Sequence, residues 1–271
     1  MPKASSRRSP VSTRLAGQRA FWNRRYRGDP ELFGAGRSPF ARWARDVLRQ
    51  AGIRRGVCIE LGVGYGRDLR YLQRCGFVVR GVDASGVGVA LARRRRRPAV
   101  LRAPEIVLGD ANSFLAQIPG QSVDVVYSNM FYNMDFTEAE HVRLFTEVAR
   151  VLRPGGFHLY SVRSTSDPWY GRGRRTGPDT FDLRPHGSTM HFFSRAYARR
   201  LRRGAFSSFA REDRLEGAQD FPIRLFYAAD VRNDHPAWED RPSFSQASME
   251  SGSAGRNLQG YAPSSPSKPP R

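Results

Sequence analysis

Cysteine is nearly missing from this 271-residue chain, which has only Cys58 and Cys75. Two thiols give no disulfide framework, and both read as reduced, structural residues of a reducing cytoplasm. Lysine is as scarce, with Lys3 and Lys268 the two among 45 basic residues. That bias fits arginine-rich coding from a GC-rich genome at least as well as selection for phosphate contacts. Long apolar runs are lacking too. No stretch approaches the ~18 residues that cross a bilayer. The basic start is not followed by an apolar run of the roughly 7 to 15 residues that mark a secretory signal. The expectation is a soluble, cytoplasmic protein with no membrane partner. The five histidines, His141, His158, His186, His191 and His235, have no carboxylate or cysteine at metal-ligand spacing, so no metal site is expected.

Acids are few: 25 Asp and Glu against 45 Lys and Arg give a net charge of +20. A basic face of that size attracts polyphosphates. The arginines come in blocks, with eight Lys or Arg and no acid in residues 1–28, an unbroken run Arg93–Arg97, and Arg199, Arg200, Arg202 and Arg203. No aromatic residue interleaves the Arg93 run to stack on bases, which favours a solvated face over a nucleic-acid surface.

The informative motif is VCIELGVGYGRD at residues 57–68. Val57, Cys58, Ile59 and Leu61 read as a buried parallel strand, and Gly62, Gly64 and Gly66 allow a sharp turn with close ligand approach. A helix comes next, with Asp68 in its first turn, Leu69 and Leu72 on one face, and Gly76 available as a left-handed cap. A dinucleotide fingerprint needs a glycine three residues after the second, where Arg67 stands. Glu60, two residues before the first glycine, would repel a pyrophosphate but suits a cation.

On these residues the chain resembles the class I S-adenosylmethionine-dependent methyltransferases over roughly residues 40–231. The resemblance implies a Rossmann-like, seven-stranded, mostly parallel sheet with helices on both faces and an antiparallel last strand. Glu60, Gly62, Gly64 and Gly66 match the first motif and would hold the methionine end of S-adenosyl-L-methionine. Asp83, followed by Ala84 at the tip of the apolar strand 77–82, would accept the ribose hydroxyls. Asp110 and Ala111, after the strand 106–108, look like the adenine-contacting turn. Asn129 would lie at the tip of the strand 123–128, beside the sulfonium. Taken singly, Asp110 could simply cap a helix beginning near Ala111.

The chain divides into three sections. Residues 1–35 read as a basic, partly disordered leader, although FWNRRYRGDPELFG (21–34) has the aromatic and charged make-up of segments that fold over cofactor and substrate in this family. Residues 36–232 would form the methyltransferase domain that the resemblance implies, with a helix near 40–51, a capping box at Thr137 and Glu140, and closing antiparallel strands near 205–211 and 223–231. Residues 233–271 read as a disordered Ser/Pro/Gly-rich tail.

After the fourth strand stand Ser128, Asn129, Met130, Phe131 and Tyr132, without the paired prolines of adenine and glutamine methylating enzymes. The long segment 161–194 is expected to form a substrate lid, with Trp169, Tyr170, Phe181 and Phe192 as walls; alternatively, Phe192 and Tyr197 are core anchors and the histidines pack or cap. These features look most similar to the small-molecule branch, the tellurite-resistance and thiopurine methyltransferases. The partner is then a small-molecule acceptor, with Tyr132, His186 or His191 available to take its proton. The competing readings are an RNA methyltransferase using the arginine blocks and a catalytically silent cofactor-binding scaffold.

Overall fold

The structure is a computed structural model that describes residues 10–95, 103–183, 188–218 and 221–233. Seven helices are described: α1 (Pro10–Gly28), α2 (Pro39–Gln50), α3 (Arg67–Arg74), α4 (Gly86–Arg94), α5 (Ala111–Ala116), α6 (Glu138–Val151) and α7 (Arg195–Arg202). The strands are β1 (Gly56–Leu61), β2 (Phe77–Asp83), β3 (Glu105–Leu108), β4 (Val123–Asn129), β5 (Leu152–Arg163), β6 (Arg174–Gly177), β7 (Thr180–Leu183), β8 (Ser188–His191), β9 (Phe206–Ala218) and β10 (Phe221–Arg232).

The main sheet has the order β3-β2-β1-β4-β5-β10-β9. Strands β1 to β5 run parallel, β10 lies antiparallel to β5, and β9 lies antiparallel to β10. This is the seven-stranded, helix-flanked sheet that the sequence led us to expect. β4, VDVVYSN, is buried along six of its seven positions, as a central parallel strand covered on both faces must be.

Two apolar clusters fill the two faces. Phe40, Trp43 and Leu48 of α2, Leu69 and Leu72 of α3, and Val89 of α4 pack one face. Phe114 of α5, Leu144, Phe145 and Val148 of α6, and Leu201 of α7 pack the other. Local chemistry agrees with the elements. Ser38 caps α2 by accepting from the Ala41 N–H at 2.9 Å, with Pro39 at the first helical position, where its missing N–H costs nothing. Thr137 and Glu140 form both halves of the capping box on α6.

The structure adds to the sequence reading in three places. The N-terminal section, read as a basic, partly disordered leader, holds a 19-residue helix, α1. Residues 161–194 supply a separate three-stranded antiparallel sheet, β6-β7-β8, whose Phe181, Leu183 and Phe192 form their own small core. The closing strands are longer than expected, and β9–β10 extends as a hairpin. The tail from residue 234 onward and His235 lie outside the described residues. Among the described residues no helix is long and apolar enough to cross a membrane.

Two histidines are locked in the second cluster. His158 meets the Tyr132 hydroxyl through Nε2 at 3.0 Å, and His141 bridges the Tyr197 hydroxyl (2.8 Å) and the Tyr132 carbonyl (2.9 Å). Burial pushes both imidazoles down to about 3, with His191 adding to the effect on His141 and Arg211 to that on His158. In the unfolded chain each binds a proton near its ordinary value of about 6.5. The stability they contribute is therefore complete above that value and is lost as pH falls towards 3, at about 1.4 kcal/mol per pH unit for each. The stability difference between the protein and a His158→Gln variant should shrink steadily from pH 6.5 to 4 in urea titrations. A constant difference across that range would show that His158 is not held neutral.

Candidate cofactor and acceptor site

The β1–α3 turn is built for close approach. Gly62, Gly64 and Gly66 all have positive φ (76°, 55° and 79°), a region that L side chains enter only at a cost. A Cβ on Gly64 would lie 2.6 Å from the Tyr26 hydroxyl, and one on Gly66 would lie 2.9 Å from the Ala92 Cβ. The turn is thus pressed between α1 and α4, with no room for a side chain at Gly64 or Gly66.

The carboxylates at the strand tips have different partners. Asp83, at the end of β2, accepts from the Gly64 N–H through Oδ2 and from the Ser85 N–H through Oδ1, each at 2.7 Å. It couples the β1–α3 turn to the start of α4 and keeps further lone pairs for a diol. Burial raises its carboxyl above the usual range, against the lowering effect of those two donors.

Glu60 is 3% exposed, and its Oε2 has no hydrogen-bond partner among the described residues. Burial, then the charges of Asp68 and Asp83, push its carboxyl well up. A buried carboxyl oxygen without a donor is costly. A cationic ligand group would relieve that cost, so Glu60 and the glycine turn fit a cofactor bearing an ammonium.

Asp68, which the sequence reading treated only as a first-turn acid, is the best-satisfied carboxylate here. It accepts from the Ser38 N–H (2.7 Å), the Ser38 hydroxyl (2.7 Å), the Tyr127 hydroxyl (2.8 Å) and the Asn129 amide (3.2 Å). The only trace of this in sequence is its position two residues after the last glycine.

The structure gives several of the expected site residues partners of their own. Both ends of the Asn129 amide are committed, to Asp68 and to the Ser161 hydroxyl at 2.6 Å, so the side chain braces the tip of β4. Asp110 is the N-cap of α5, its Oδ2 accepting from the Ser113 N–H (2.8 Å) and hydroxyl (3.0 Å); the helix-cap reading describes that oxygen. Ala84 and Ala111 come directly after the tips of β2 and β3, Ala111 opening α5.

Tyr132 cannot serve as a proton acceptor. It is fully buried in the second cluster, and burial raises its phenol far above the ordinary range. His191 is buried too, with Nδ1 on the Thr180 hydroxyl at 2.8 Å and its ring 5.0 Å from that of His141. Burial lowers it to about 4, a weak base at neutral pH. His186 lies outside the described residues. Phe192 and Tyr197 are both buried, as the core-anchor alternative required.

Helix α1 spans the mouth of the glycine turn. Near its start Arg14 pairs with Glu140 at 2.8 Å. Two turns further on, the Trp22 indole N–H reaches the Met134 sulfur at 3.1 Å, and Asn23 Oδ1 accepts from the Ser85 hydroxyl (2.8 Å) and the Val87 N–H (3.1 Å). Trp22 also stacks on Tyr26, which meets Tyr65 edge-on, and Tyr65 stacks on Phe33. The aromatic spacing in 21–34 was the sequence signal for this cover. Glu216, on the β9–β10 hairpin, carried no such signal; burial moves its carboxyl up to about 7 beside Arg67 and Arg214.

Many of the block arginines are engaged within the fold. Arg93 donates to the Ile106 carbonyl (2.6 Å), Arg95 lies 5.5 Å from the Tyr65 ring centroid, and Arg200 pairs with Glu138 (2.9 Å).

A sheet of this order, a glycine turn under its central strand tip and acids at neighbouring tips define the class I methyltransferase fold. Residues 59–160 match the family model described as a methyltransferase domain. Over 118 residues it is 34% identical to a fatty-acid O-methyltransferase of Mycolicibacterium smegmatis, an alignment covering 41% of this chain. It spans 39% of the length of that curated relative. Among solved structures, the fold is similar to the 1,6-didemethyltoxoflavin-N1-methyltransferase of Burkholderia thailandensis. The TM-score is 0.61 at 17% identity, over 86% of this chain and 94% of that one. It is also similar to a methyltransferase of Methanosarcina mazei, with TM-score 0.58 at 18% identity over 67% of this chain and 94% of that one.

The tightness of the turn has a direct consequence. Gly64→Ala should lower stability by about 1–2 kcal/mol through its left-handed backbone alone, and more through the clash with Tyr26. Equilibrium unfolding measures this, and an unchanged midpoint would contradict the packing of α1 on the turn.

Proposed function

We propose that the protein is an S-adenosyl-L-methionine-dependent methyltransferase acting on a small-molecule acceptor. The observation that carries this reading is the buried, unpartnered Glu60 oxygen inside the glycine turn, with Asp83 at the adjacent strand tip. S-adenosylmethionine, when bound, supplies an activated methyl group on a sulfonium. Glu60 would hold its ammonium, Gly62, Gly64 and Gly66 would let the backbone approach it, and Asp83 would take the ribose diol. Ala84, Asp110 and Ala111 would border the adenine. Trp22 and Tyr26 of α1 exclude water from the cleft, which strengthens each of these interactions.

The chain's own contribution to rate would be positioning and desolvation. Tyr132 and His191 are withdrawn into the core, which supports an acceptor that arrives already ionised and needs no base. A carboxylate does so at neutral pH. The fatty-acid O-methyltransferase likeness supports the same acceptor class.

Two measurements test this. Asp83→Ala should weaken S-adenosylhomocysteine binding tenfold or more by calorimetry; unchanged affinity would remove Asp83 from the cofactor site. With methyl-labelled S-adenosylmethionine and a whole lysate, label should enter a small, nuclease-resistant fraction. Label in a large, nuclease-sensitive fraction would instead make the acceptor a nucleic acid, and cofactor binding with no labelled product would make the protein a silent scaffold.

A further inference from the structure

A second concavity opens at the same edge of the sheet as the glycine turn, three strands along. It has a volume of about 380 Å³ and is bounded by the loop leaving β5, the start of α7 and the β9–β10 hairpin. That volume is at the lower end of the roughly 300–1,000 Å³ typical of small-molecule sites. None of its lining residues belongs to the turn or tips of β1 and β2 that form the cofactor site.

Its chemistry has one sign in excess. Arg195, Arg224 and Asp213 are the ionised groups on its wall, two guanidiniums against one carboxylate. Arg195 pairs with Asp213, so that pair is self-compensated. Among the described residues the Arg224 guanidinium has no hydrogen bond or ion pair, while its backbone is pinned: the N–H donates to Asp167 Oδ2 at 2.7 Å and the carbonyl accepts from the Ser164 N–H at 3.0 Å.

The adjoining 164–166 segment is braced through its backbone. Asp167 is buried, takes Arg163 Nε (3.1 Å) and the Trp169 N–H (2.8 Å) besides the Arg224 N–H, and donates its own N–H to the Ser164 carbonyl at 3.0 Å, while the Thr165 N–H donates to the Phe193 carbonyl at 3.0 Å. Phe226 forms an apolar floor, with Arg195 and Arg211 at 5.9 and 5.8 Å from its ring centroid, and Phe193 is buried beside it.

We propose that this cavity binds a monocarboxylate with an apolar body, its carboxylate on Arg224 and the Thr165 and Ser166 hydroxyls and its hydrocarbon against Phe193 and Phe226. One uncompensated guanidinium matches one negative charge, and a planar fork suits a two-oxygen acceptor. The hydroxyls supply further donors, and the phenyl faces reward an apolar body over a bare anion. The site stands on the cavity alone; only its link to the acceptor rests on the methyltransferase reading.

The test uses the full chain and octanoate as probe, with 1-octanol as the uncharged control. Octanoate should bind by calorimetry at least tenfold more tightly than octanol. Arg224→Ala should remove that preference, Arg224→Lys should restore part of it, and S-adenosylhomocysteine affinity should stay unchanged in both variants. Equal binding of octanol and octanoate, or octanoate binding unaffected by Arg224→Ala in a variant with unchanged melting temperature, would overturn the proposal. If octanoate binds as expected, formation of its methyl ester with a raised KM in Arg224→Ala identifies the ligand as the acceptor. Binding without ester identifies a separate carboxylate ligand of the same site. Loss of S-adenosylhomocysteine binding in the unaltered protein would count against the methyltransferase reading and leave the carboxylate site standing.

Discussion

The buried carboxylate of Asp68 is the interaction on which the rest of the cofactor cleft depends. It draws in the N-cap of α2, the first turn of α3 and the tip of β4 through four donors between 2.7 and 3.2 Å. Hydrogen bonds to a charged group are worth about 1.5–3 kcal/mol each, so this one group fixes three elements around the glycine turn. Ser38 serves twice, donating to Asp68 and accepting from the first turn of α2. The consequence falls on Glu60. Asp68 is saturated by its own donors while its charge still bears on its neighbour, and Glu60 is left buried, unpartnered and raised.

The cleft is completed from far away in sequence. Helix α1 reaches across the turn from the Arg14–Glu140 pair to the Asn23 contacts on α4, and Tyr26 presses on Gly64. Along the same sheet edge the small β6-β7-β8 sheet and the β9–β10 hairpin rise beside β5. The loop leaving β5, the start of α7 and that hairpin frame a second, positively charged concavity. The fold therefore offers two chemically distinct places on one edge, a carboxylate-lined cleft suited to a cation and an arginine-bearing cavity suited to an anion.

The order of strands and helices in the central domain was legible because its signals are local: apolar strand runs, a glycine turn, a Thr–Glu capping box. Gly62, Gly64, Gly66, Glu60 and Asp83 lie where the motif placed them for the same reason. The segment just after β4 was not legible. Whether Tyr132 faces the cleft or the core depends on the course of a single 3-10 turn, Phe131–Asn133, and period alone does not decide that course. His191 stayed open in sequence between base and packing residue, because the segment around it folds as a sheet with its own core; the structure buries it against His141. Asp110 shows the opposite case. Its place just before a helix beginning near Ala111 already allowed a helix cap, and its Oδ2 accepts from the Ser113 N–H as that cap. Helix α1 escaped notice because its arginine-rich sequence lacks a clear apolar stripe; Trp22 and Tyr26, one turn apart, carry its packing. The partnership of Asp68 with Ser38, Tyr127 and Asn129 joins residues 30, 59 and 61 positions apart, beyond the reach of any local pattern.

Glu60, a buried carboxyl whose Oε2 has no donor among the described residues, is the group whose behaviour decides whether this cleft is a cofactor site. Calorimetric titration of the full chain with S-adenosylmethionine near pH 6, in two buffers of different ionisation enthalpy, reads it directly. One-to-one binding with release of protons is expected, because an ammonium beside Glu60 pulls its raised carboxyl back towards the ionised form. Binding without proton release, or release undiminished in Glu60→Gln, would show that Glu60 does not hold the cation.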